Sequence, residues 1–249
     1  MLKNIHIFLI GVALFVLLHV FLSMILSALV TAIVLFSWIA FNIFSVKHSA
    51  FLKSICRIRT KEKIVFLSFD DGPSDQFTPV ILDTLKRNNL QAVFFCIGLQ
   101  SELCPELVRR ISDEGHRIGN HTYSHDWHNA LKPSGIIAAE INRTNDILFK
   151  LTGNKTNLFR PPFGITNPSI AKALKSLGMH SVGWDIRSFD TMSKDSQKLI
   201  HRICSRLRPG SIILLHDNRE ITSRILDELI KTIQKKGYKI VPLPEFETI

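Results

Sequence analysis

The chain has 249 residues, 46% of them hydrophobic and 21% charged, and 31 Lys plus Arg against 21 Asp plus Glu give a formal net charge of +10. That length fits a single larger α/β domain, or one ordinary domain with an appendage. The basic balance comes without an aromatic-interleaved basic stripe or a nucleic-acid motif, so nucleic acid is not an expected partner; a solvated surface, anionic lipid or an anionic polymer fits better.

From the N-terminus, no Asp, Glu, Lys or Arg stands between Lys3 and Lys47, roughly 43 residues where one membrane helix needs about 20. Residues 1–46 are therefore expected to anchor the chain in a bilayer through two spans, about 5–22 and 25–45, joined near His19–Ser23. A signal peptide would end after a shorter apolar region at a small-residue cleavage site, which is not evident. Lys47, Lys53, Arg57, Arg59, Lys61 and Lys63 follow, so residues 47–62 read as a basic juxtamembrane linker. Their charge favours a cytoplasmic position for what comes next.

Residues 63–249 alternate short apolar runs with amphipathic stretches. Strands are expected at 63–69, 91–98, 116–122, 157–161, 179–185, 211–217 and 238–243. Helix-like segments lie between them, with apolar residues at i, i+3, i+4 and Gly at several ends. Repeated strand–helix units predict a parallel sheet with helices outside, closed or nearly closed as a β/α barrel, with a doubly wound open sheet as the alternative. Cys56, Cys96, Cys104 and Cys204 form neither a C-x-x-C pair nor a zinc-ribbon spacing, and Cys96 in "AVFFCIG" reads as a core residue.

Reactive side chains collect after these strands. Asp70 and Asp71 follow the first, His121 and His125 the third, Arg160 the fourth, Asp190 the fifth, and His216 with Asp217 ends the sixth. In a parallel barrel such ends open on one face, where active sites sit. His121 and His125 have a spacing that lets two imidazoles meet one ion, although two surface histidines have it too. An acidic third ligand, available from the aspartate pair, would leave an open position for water, as hydrolytic zinc sites do.

The motifs "SFDDGP", "HTYSH", "RPPFG" and "ILLHD", in this order, resemble those of the polysaccharide deacetylases of the NodB-homology family (carbohydrate esterase family 4), over roughly residues 60–245. The resemblance implies a distorted (β/α)7-8 barrel and a divalent metal, zinc first and cobalt second, that serves to remove acetyl groups from sugars. It implies Asp70 as catalytic base, Asp71, His121 and His125 as metal ligands, and Arg160 as the partner of the base. It also implies the backbone N–H of Phe163 at the oxyanion, His216 as general acid supported by Asp190, and Leu214 against the acetyl methyl. One motif departs from the pattern: Arg187 and Thr191 stand where many members have Asp and Trp. The expected substrate is an N-acetylglucosamine-containing polysaccharide such as peptidoglycan or a chitin-like oligomer, with the domain outside the cytoplasm against the charge bias. The alternatives are a deacylase of a lipid-linked or small N-acyl sugar, and an inactive carbohydrate-binding membrane protein.

Overall fold

The apolar N-terminal block folds as one helix, α1 (Leu2–Phe44), in the computed structural model, which describes residues 2–246. The expected break at His19–Ser23 does not occur. That stretch holds neither Pro nor Gly, and its Val, Phe and Leu carry the helix through. Leu9–Phe44, 36 residues with a hydropathy of 2.7 and an exposed apolar stretch, is a single helix long and apolar enough to cross a membrane; two spans are not seen. At about 1.5 Å per residue, α1 is roughly 65 Å long.

A second unit comprises Asn42–Ile249, of which 247–249 lie outside the described residues. It begins earlier than the sequence suggests. The last residue read as anchor and residues read as a linker are built into it: Val46 and Cys56 are buried, and β1 (Ser54–Ile55) joins the sheet. The ammonium of Lys47 lies 2.6 Å from the buried Asp185 carboxylate. Thr166 donates its N–H to Ile43 O at 2.8 Å and its hydroxyl to Asn42 O at 2.8 Å.

The other strands are β2 (Ile64–Asp70), β3 (Val93–Cys96), β4 (Arg117–Asn120), β5 (Leu158–Phe159), β6 (His180–Val182), β7 (Ile186–Arg187), β8 (Ser211–His216) and β9 (Lys239–Ile240). They pair in parallel in the order β1-β6-β5-β4-β3-β2-β8-β7, with β9 on the start of β2. The helices are α2 (Thr78–Arg87), α3 (Gly98–Leu103), α4 (Pro105–Asp113), α5 (Ser134–Thr152), α6 (Pro168–Leu177), α7 (Ser196–Cys204) and α8 (Glu220–Lys235). Both faces of the sheet are apolar, which is why its strands read as unbroken hydrophobic runs. Val65, Leu67, Phe69, Ile213 and Leu215 pack with Leu82, Leu85, Leu226 and Leu229 of the helices, while Phe66, Phe95, Leu158, Val182 and Ile212 fill the concave side.

The expected barrel is thus a curled half-barrel. Its edge strands, β1 and β7, are two residues each and do not pair with one another. The chain after β1 crosses toward β8 instead: Arg57 bridges Ser211, and Ile58 N–H donates to Gly210 O at 2.9 Å. Gly210 permits that approach. Its φ is +79°, and a Cβ there would lie 1.8 Å from Ile58 O. Gly210→Ala is expected to cost at least about 2 kcal/mol from left-handed strain and overpacking, seen as a lowered unfolding midpoint of the chain in detergent.

Candidate active site

The strand ends deliver the side chains that the motifs singled out. Asp70 is the last residue of β2 and is in register with His216, the last residue of β8, so both side chains share one face of neighbouring strands. At Asp71 the backbone turns left-handed, with φ 74°, and the two carboxylates part. The turn is held from β8. Asp217 N–H donates to Asp70 O at 3.2 Å, and its Oδ2 accepts the Thr78 hydroxyl at 2.6 Å. The Thr78 oxygen in turn accepts Ser74 N–H at 2.8 Å. Only glycine fits at 72, since a Cβ would meet Asp217 Oδ2 at 2.0 Å. Burial pushes the Asp217 carboxyl up to about 7.

Asp71, His121 and His125 form a three-donor cluster whose ligand atoms all lie within 4.8 Å of one another. His121 Nε2 is 3.5 Å and His125 Nε2 3.3 Å from Asp71 Oδ1. His121 Nδ1 lies 2.7 Å from the Arg160 carbonyl, which only accepts, so Nδ1 carries a proton and Nε2 is the ring atom turned to the cluster. Burial, followed by the like charge of His121, pushes His125 down to about 4, so it is neutral at physiological pH. Burial alone would raise Asp71, but the hydrogen bond and charge of His121, with His216 and His125, hold it well below the usual carboxylate range. Two imidazoles and one carboxylate, with their ligand atoms this close together, fit a divalent cation.

Arg160 follows β5 and is fully buried. It donates to Asp70 Oδ1 at 2.6 Å, Ser68 Oγ at 2.9 Å, Val182 O at 3.0 Å and Gly183 O at 2.8 Å, and it lies 4.0 Å from the Phe95 ring centroid. One Asp70 oxygen is thereby committed to the guanidinium; the other is 3.8 Å from His121 Nε2.

His216 is held by Asp190. Its Nδ1 lies 2.7 Å from Asp190 Oδ1, while Asp190 Oδ2 accepts the His216 N–H and the Thr222 hydroxyl, each at 2.7 Å. Ser188 adds a hydroxyl to Oδ1 at 2.9 Å. Burial would lower the imidazole, yet the Asp190 hydrogen bond and charge raise it above its usual 6.5. Asp190 is conversely lowered: burial opposes this, and the His216 contacts outweigh it. Because the folded pKa of His216 is raised, its stabilising contribution is full below about 6.5 and is lost as pH climbs through the folded value. That of Asp190 is present above about 3.8 and is lost as pH falls through its depressed value.

Phe163 is left-handed, with φ 59°, and its half-exposed ring lies 4.6 Å from that of His125. Leu214 is buried in β8, in register with Ser68 on one side and Arg187 on the other. Thr122, His125 and Phe189 share the left-handed conformation, so the strained non-glycine residues concentrate around this cleft. All the expected site residues therefore meet at one end of the sheet. Sequence reading missed Ser68, Ser188, Thr222 and Trp184, which position them. Of these only Ser68, a hydroxyl inside the apolar run of β2, carries a sequence signal. Asp190 follows β7, a strand not anticipated inside "MHSVGWDIR".

Comparison with known proteins agrees with this geometry. The family profile described as polysaccharide deacetylase matches residues 57–182. The chain is 34% identical over 183 residues to the peptidoglycan-N-acetylmuramic acid deacetylase PdaA of Bacillus subtilis, covering 72% of this chain and 69% of that one. It is 36% identical over 190 residues to a peptidoglycan-N-acetylglucosamine deacetylase of Bacillus cereus, covering 74% and 68%. Among solved structures, BA3943 of Bacillus anthracis, a CE4 family pseudoenzyme, superposes with a TM-score of 0.72 at 26% identity, over 76% of this chain and 67% of that one. With fold, motifs and relatives in accord, the chain belongs to the polysaccharide deacetylases of the NodB-homology family, carbohydrate esterase family 4.

Proposed function

We propose that the chain is a metal-dependent deacetylase of N-acetylated cell-wall carbohydrate, held at the membrane by α1. A pseudoenzyme of the same fold means that likeness alone does not decide activity. The observation that carries the reading is the complete constellation in one cleft: the Asp71–His121–His125 cluster, Asp70 bound to Arg160, and His216 bound to Asp190. This also argues against an inactive carbohydrate-binding role.

Asp71, His121 and His125 would hold the cation, zinc by the chemistry of the donors. When bound, such an ion lowers the pKa of water from about 15.7 to about 7 and polarises a carbonyl. Asp70 takes the proton of the attacking water, with Arg160 fixing the orientation of its carboxylate. The Phe163 N–H faces the oxyanion, and Leu214 bounds the space for the methyl group. His216, oriented through Nδ1 by Asp190, gives its Nε2 proton to the leaving amine. The tether and the named relatives favour peptidoglycan outside the cytoplasm. The basic residues after α1 are a weaker guide to sidedness than their number suggests, because Lys47 serves Asp185 within the domain.

Asp190→Asn is expected to lower kcat and to move its alkaline limb to lower pH, because the raised imidazole loses its anion; acetate release followed against pH reads this directly. The function itself is tested by mass spectrometry of peptidoglycan treated with the purified chain. Loss of acetyl groups from the glycan is expected; unchanged glycan with the metal-loaded protein, on peptidoglycan and on chitin oligomers alike, counts against it.

A further inference from the structure

Arg187 closes β7 on the concave side. Its neighbour Ile186 packs in the helix-facing core, so strand alternation turns Arg187 to the face that carries Leu214, Ser68 and, two residues further along, His216 and Asp70. The central carbon of the Arg187 guanidinium lies 4.8 Å from the ring centroid of Phe189, in the turn after β7, and 5.9 Å from that of Trp184. Trp184 packs on Gly164, where a Cβ would lie 2.6 Å from the indole, and Gly164 adjoins Phe163. The cation therefore stands beside the wall of the proposed acyl pocket.

It is also uncommitted. Arg187 is exposed, and no described carboxylate forms an ion pair with it, whereas Arg160 is spent on Asp70 and Arg208 on Asp185. The ring contacts take up none of the Arg187 N–H donors, and no hydrogen bond to a described residue does so, which leaves the guanidinium able to bind a carboxylate or phosphate in bidentate fashion. Arg202 stacks on the Phe189 ring as well, at 4.1 Å, so two cations converge on this turn.

We propose that Arg187 is a specificity-determining residue that binds an anionic group, carboxylate or phosphate, carried by the acetylated sugar or its immediate neighbour. As a statement about turnover this rests on the deacetylase reading; as a statement about binding it does not. The test uses the full chain in detergent, wild type, Arg187→Gln and Arg187→Lys. Its substrates are a neutral N-acetylglucosamine oligomer, a peptide-free glycan fragment with a free lactyl carboxylate, and a phosphorylated N-acetylglucosamine. Acetate release gives kcat/KM, and calorimetry gives affinity. Arg187→Gln is expected to lower the anionic-to-neutral ratio about 10- to 100-fold, with Arg187→Lys retaining part of it. Dependence in the carboxylate arm identifies a sugar acid, and in the phosphate arm a phosphorylated sugar. An unchanged ratio in both arms, including a uniform loss on all substrates, overturns the proposal. Arg187-dependent anion binding without acetate release from any substrate would sustain it while refuting the deacetylase reading.

Discussion

Arg160→Met is expected to cost about 3–5 kcal/mol of stability and most of the activity, because it leaves the Asp70 carboxylate buried without its cation. The guanidinium is fully buried and makes four hydrogen bonds, one of them the 2.6 Å bond to Asp70. Against the usual total of about 5–15 kcal/mol, the loss is large enough to see in any denaturation curve. Asp70→Asn separates the two consequences, since it abolishes the base while a hydrogen-bonding amide remains. Combining Asp70→Leu with Arg160→Met should recover much of the stability, as removal of both charges removes the desolvation penalty, but none of the activity. Chemical denaturation and acetate release on the same preparations check both halves.

Asp71→Ala is expected to abolish metal binding and to reduce turnover about 10³-fold or more, the loss of several kcal/mol of transition-state charge stabilisation. Its effect on folding should be small by comparison, because Asp71 is partly exposed and its partners are histidines rather than a buried guanidinium. Elemental metal analysis of wild type and variant, with a denaturation curve for each, distinguishes this from Arg160→Met. A variant that keeps its metal and its rate would remove Asp71 from the ligand set.

The two aspartates show how much of the site could be read in the chain itself. Neighbours at the end of an apolar strand had to diverge, and the motifs assigned them different partners; the structure adds the means, a left-handed turn at Asp71 and a Gly72 pressed against Asp217. The long strands β2 and β8 were legible because an apolar run of six or seven residues has few other uses. β1 and β7 were not, because two residues have no periodicity. The supposed linker misled for a related reason. Its basic residues look solvated in sequence, yet Lys47 answers a buried carboxylate 138 positions away. The expected helical hairpin failed because polarity at His19 and Ser23 is not a helix break.

The central claim, hydrolysis by this chain through the Asp71–His121–His125 centre, is tested most directly by one titration. The full chain, stripped with chelator and returned to buffer, is given zinc in steps while acetate release from an N-acetylglucosamine-containing glycan is followed. Release is expected to be negligible at the start and to rise to a plateau at one ion per chain. Equal release with and without metal would contradict the account.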